Sequence, residues 1–116
     1  MPHRRDPAKA LLMLDLLSEF FDNGRCWLQG DWHDNNGRRC LVDALRHLRA
    51  VNAIAGDGTS FYLRKAQPQW IYKPLTHFND TCGSYEDIRA LIDLARVLAQ
   101  AELDAADAAP WIRLAA

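Results

Sequence analysis

Cys40 is the residue whose type and position most invite chemistry. It stands at the start of a segment with helical periodicity, where aligned backbone dipoles favour a thiolate, and Arg38 and Arg39 precede it. His77, with Asn79 or Asp80 shortly after it, supplies the residue types that a cysteine nucleophile needs: a general base and a group to orient that base. The activity so defined is thiol-dependent catalysis by Cys40, His77 and Asp80. The simpler reading makes Cys40 a small buried residue on the same helical face as Leu41 and Ala44. Almost any chain offers a Cys, a His and an Asp somewhere, so the expectation adopted is that Cys40 is buried and unreactive.

A metal centre is the second chemistry to weigh. Cys26, His33, Cys40, His77 and Cys82 are the available soft and imidazole ligands. Zinc sites show close pairs such as C-x-x-C, and none is present; His77 and Cys82 in one loop come nearest. Asp31, Asp34, Asn35, Asn36 and Gly37 lack the spacing and closing Glu of a calcium loop. No metal and no cofactor is expected. Phe78-Asn79-Asp80 reads first as a turn before a helix, because Asn and Asp side chains bond to nearby backbone. Trp27, Trp32, Trp70 and Trp111 are many indoles for a small domain, and those left partly exposed would mark a groove or partner surface. The candidates for binding a polar ligand or a protein are therefore Trp27, Gln29, Phe78, Asn79 and Asp80.

These residues need a scaffold, and 116 residues make about one domain, here 1–116, large enough to fold without a metal or disulfide. The formal net charge of −1 points to neither nucleic acid nor a membrane surface. No apolar run is long enough to span a bilayer. The apolar stretch from Ala10 carries Asp15 and Glu19, so it reads as an amphipathic helix and not as a signal peptide. Three cysteines, an odd number, argue for a reducing compartment and a cytoplasmic location.

Periodicity predicts three long helices. The first, 7–22, starts with Asp6 as cap and Pro7 at the first helical position; Asp15, Ser18, Glu19 and Asp22 give it one narrow wet stripe, and Asn23-Gly24 stops it. Gln29 to Gly37 is a loop. The second helix, 38–54, aligns Leu41, Ala44, Leu45, Leu48 and Val51. The third, 85–103, opens on Ser84 with Asp87 three residues later, close to a capping box, and aligns Ile88, Leu91, Ile92, Ala95, Leu98 and Ala99. The segment 59–73 is irregular or a short helix capped by Ser60 and ended by Pro68; a hairpin turning at Gln67-Pro68-Gln69 is the alternative. Pro74 to Gly83 reads as irregular, and 1–6 and 104–116 as flexible or loosely docked. The fold class is mainly α, with a core of Leu14, Leu17, Phe21, Leu41, Leu45, Leu48, Ile88, Leu91 and Ile92.

Trp27-Leu28-Gln29-Gly30, Cys40-Leu41 with Ala44-Leu45, and Phe78-Asn79-Asp80 followed by Tyr85-Glu86-Asp87-Ile88 occur in that order. In this the chain resembles the uncharacterised bacterial proteins grouped as domain-of-unknown-function 6197, over roughly residues 8–100. It departs from them at Asp43, where the family usually has Gly, and at Thr81-Cys82-Gly83-Ser84, where it tends to have Gly-Arg-Thr. The resemblance implies a helical architecture and carries no activity. The functional expectation is a small binding or accessory module without catalysis, with a thiol-dependent enzyme using Cys40 and His77 as the alternative. One spatial expectation follows from the shared order: Trp27–Gly30 lies beside Phe78-Asn79-Asp80, bonded to it and to the start of the last helix, or lining a cleft floored by Trp27.

Overall fold

Asp6 and Pro7 start helix α1 (Pro7–Phe21) as their types require. The Asp6 carboxylate accepts from the Lys9 N–H at 3.2 Å, and Pro7 has no N–H to leave unsatisfied. The helix ends where Asp22 and Asn23 turn left-handed and run into the short 3-10 turn Asp22–Gly24. Gly24 is needed there: its φ is +96°, and a Cβ would press on the Tyr85 side chain at 2.9 Å. The computed structural model describes residues 5–68 and 73–115, with side chains through residue 107.

The chain then makes a lap before helix α2 (Leu41–Asn52). Arg39 donates its N–H to the Cys26 carbonyl and accepts from Leu28, and Cys40 N–H reaches the Trp32 carbonyl. Two isolated β-bridges, Trp27 with Arg39 and His33 with Arg39, result. Those bonds explain why α2 begins three residues later than periodicity predicts: the peptides of Arg38 and Arg39 already pair with the lap and are not free to be helical. At its other end α2 stops at Asn52, with Ala53 left-handed.

Helix α3 (Thr59–Lys65) is the short helix expected in 59–73, but Gly58 and not Ser60 occupies its cap position. Beyond it the Gln67 amide bonds the Lys73 peptide on both sides, at 2.8 and 2.9 Å. The other half of the hairpin alternative, with Trp70, Ile71 and Tyr72, lies outside the described residues. Pro74 to Gly83, expected to be irregular, contains helix α4 (Leu75–Thr81). Seven residues are too few for the periodic signal on which the prediction relied.

Helix α5 (Tyr85–Ala115) begins with the reciprocal cap read from the sequence: Ser84 Oγ accepts from the Glu86 N–H, and the Asp87 carboxylate accepts from Gly83 and Ser84. It runs on past residue 103 through an Ala-rich stretch of high helix propensity. The protein is mainly helical, and no strand occurs among the described residues. Among the described residues no helix is long and apolar enough to cross a membrane.

The core lies where α1 packs against α2, α3 and α5. All nine residues expected in it are buried, together with Met13, Tyr62 and Leu63. The wet stripe of α1 does not simply face water: Arg96 of α5 bonds Asp15 at 2.8 Å and Ser18 at 3.3 Å across it.

Candidate functional site

The motif residues meet at one junction between the lap and α4. Asn79 is fully buried. Its Oδ1 accepts from the Trp27 indole N–H at 2.7 Å and from the Leu41 backbone N–H at 3.0 Å. Its Nδ2 donates to the Leu28 carbonyl at 2.9 Å and to Asp80 Oδ1 at 3.0 Å. Asp80 Oδ1 also accepts from Gly30 N–H at 2.8 Å, and the Gln29 amide donates to the carbonyls of Asn79 and Cys82. Trp27–Gly30 thus lies beside Phe78-Asn79-Asp80, as the motif order predicts. One detail is corrected: the helix start served by this cluster is that of α2, through Leu41 N–H, and not that of the last helix, whose first N–H groups are met by Ser84 and Asp87. The reason is α4 itself, which turns Asn79 inward toward α2.

Cys40 is buried, but as the cap of α2 and not as a member of its face. Its sulfur accepts from the Asp43 N–H at 3.4 Å. Burial pushes its thiol pKa up; the Asp43 N–H works the other way, and the carboxylates of Asp43 and Asp80 add to the rise. A small cleft of about 190 Å³ touches it, walled by Gly30, Asp31, Trp32, Cys40, Thr76 and Asp80. His77 follows Thr76 but is exposed and is not part of that wall. The three residues of the thiol constellation are therefore not brought together: Asp80 shares the cleft with Cys40, and His77 does not.

Among the described residues no three His, Cys, Asp or Glu side chains converge as a metal site. Cys26, Cys40 and Cys82 are all free thiols. The loop with Asp34 is held by its own turn, the Asp34 carboxylate accepting from Asn36 N–H, Arg38 N–H and the Arg38 guanidinium.

A larger groove, of about 440 Å³, opens between the end of α3, α4 and α5. Its apolar wall is Ala66, Pro68, Phe78, Ala90, Leu91 and Leu94, and Lys73, Thr81, Cys82 and Asp87 rim it. Among the described residues the Lys73 ammonium reaches the Thr81 hydroxyl alone, at 3.5 Å, whereas the Asp87 carboxylate is engaged in capping α5. Burial, reinforced by Asp87, pushes the Cys82 thiol pKa up. Of the five binding candidates, Phe78 alone faces this groove and Asp80 alone faces the small cleft. The Trp27 indole N–H, the Gln29 NH2 and both polar atoms of Asn79 are bonded inside the junction. Leu94 was missed, although a signal existed: it falls off the buried face of α5 that periodicity draws, and it is large, apolar and 45% exposed.

Compared with protein-family models, with curated proteins and with solved structures, the chain matches none.

Proposed function

We propose that this protein is a binding module without catalysis, and that its ligand is a small amphipathic anion held in the groove between α3, α4 and α5. The observation that carries the reading is the groove's composition: an apolar wall with, among its described residues, a single cationic side chain, Lys73, on its rim. Its volume lies in the range of small-molecule sites, which are mostly apolar with a few polar groups that fix orientation. An apolar body against Phe78 and Leu94, with an acidic group toward Lys73, matches both parts. The absence of catalysis is supported by Cys40, whose thiol is a helix cap of raised pKa with no histidine among the described residues of its cleft. We also propose membership of the family the chain resembles. What supports it is that the three shared motifs meet through Asn79 and Asp80.

The test is fluorescence titration with 8-anilino-1-naphthalenesulfonate, beside its uncharged counterpart N-phenyl-1-naphthylamine. Both should bind saturably to the native protein. Leu94→Glu should weaken both at least tenfold with unchanged helical circular dichroism, and Lys73→Gln should weaken the sulfonate alone. No saturable binding, or binding indifferent to Leu94→Glu, would overturn the reading.

A further inference from the structure

A third cavity, of about 440 Å³, lies where the segment before α1 meets the end of α2 and the start of α3. Three arginines from three parts of the chain line it: Arg5, Arg49 and Arg64. Two of them are held in place. Arg49 makes a two-pronged pair with Asp57, at 3.0 and 3.1 Å, through Nε and Nη2, so among the described residues its Nη1 donors have no partner. Arg5 uses Nε on Glu102, and its guanidinium lies 3.9 Å from the Phe61 ring centroid and beside Tyr62; no ion pair takes its terminal nitrogens among the described residues. Gly58 makes that placement possible: it is left-handed, at φ +72°, and a Cβ there would run into the Cβ of Arg5. Arg64 is exposed, and its guanidinium has no hydrogen bond among the described residues. The one acid in the wall, Asp57, is 2% exposed and faces Arg49. With Asp57 on Arg49 and Glu102 on Arg5, the described wall keeps a net positive charge through Arg64, in a chain whose net charge is −1.

We propose that this cavity binds the phosphate group of a small organic phosphate. Guanidinium donors matched to phosphate oxygens form short, directional, charge-assisted bonds, and arginines already fixed by other partners lose little freedom on binding. Three separate guanidiniums suit a tetrahedral group with three free oxygens better than a planar carboxylate with two. The space exceeds that of a bare ion, and the Phe61 ring and the backbone of Gly56 and Gly58 remain as wall for an organic body. This goes beyond the groove at Leu94 and shares no residue with it.

The test is calorimetric titration of the full chain with phenyl phosphate, inorganic phosphate and benzoate. Phenyl phosphate should bind one site, more weakly as salt is raised. Arg64→Gln should reduce its affinity at least tenfold, because Arg64 holds no other part of the fold. Arg46→Gln, an exposed arginine of α2 outside the cavity, should leave it unchanged. The proposal is overturned if phenyl phosphate does not bind, if Arg64→Gln has no effect, if Arg46→Gln weakens binding as much, or if inorganic phosphate or benzoate binds equally well. Arg64→Gln should leave naphthylamine binding at Leu94 intact, so the two sites stand or fall separately.

Discussion

Asn79 has two side-chain donors and a carbonyl oxygen that accepts twice, and all four bonds are made inside the protein. Its truncation strands a buried indole N–H, a helix-start N–H and a carbonyl at once. Asn79→Ala should therefore destabilise the fold by about 3 kcal/mol, while Asp80→Ala, at an exposed residue that holds Gly30 through one oxygen, should cost about 1 kcal/mol. Equal losses in chemical denaturation would contradict this ranking. The sequence marks Asn79 and Asp80 as polar residues with a partner near Gly30. It hides which of them is buried, because that depends on α4, a helix too short to announce itself and bracketed by Pro74 and Gly83. Cys40 was legible as buried, but its use as a cap was not: Ser, Thr, Asp and Asn are the usual caps, and a thiol is not sought there.

Between elements, the decisive contact is Asp57, which ties the last turn of α2 to the first of α3. Burial opposes its charge. The Arg49 guanidinium, the Thr59 hydroxyl and the Thr59 N–H overcome that and hold its carboxyl at about 2. A carboxyl depressed in the folded state contributes stability above its unfolded pKa of about 3.9 and loses it as pH falls through the folded value. Acidification from about pH 4 to about pH 2 should thus remove about 2 kcal/mol of stability through this group. Asp57→Asn should be less stable at neutral pH and show a flatter acid limb in urea titrations; an unchanged slope would contradict the assignment. Gly56-Asp57-Gly58 reads as a turn; the structure has a bend at Gly56 and irregular backbone at Asp57 and Gly58. That its acid is buried against Arg49, eight residues earlier, is a tertiary fact that no local pattern carries.

At the scale of the whole molecule, α1, α2 and α5 were legible because each is long enough to repeat its apolar face several times, and their edges were not, because the lap took Arg38 and Arg39 and alanines prolonged α5. The described structure measures 56 × 34 × 28 Å, and α5 outlasts the core. Up to residue 107, Ala99 is its last fully buried residue, and Asp104 to Asp107 are all exposed. Native-state hydrogen exchange should divide this one helix, with amides of Ile88 to Ala99 protected near the global limit and those of 104–107 exchanging fast. Uniform protection along α5 would mean that something covers its far end. The contact between α1 and α5 has a consequence in time. A ribosome releases α1 first and α5 last, and Arg96 must find Asp15 across 81 positions and Arg5 must find Glu102 across 97. Until then Leu14, Leu17 and Phe21 have no lasting cover. The central helix of the finished protein is, during synthesis, the segment exposed longest to chaperones and to neighbouring nascent chains.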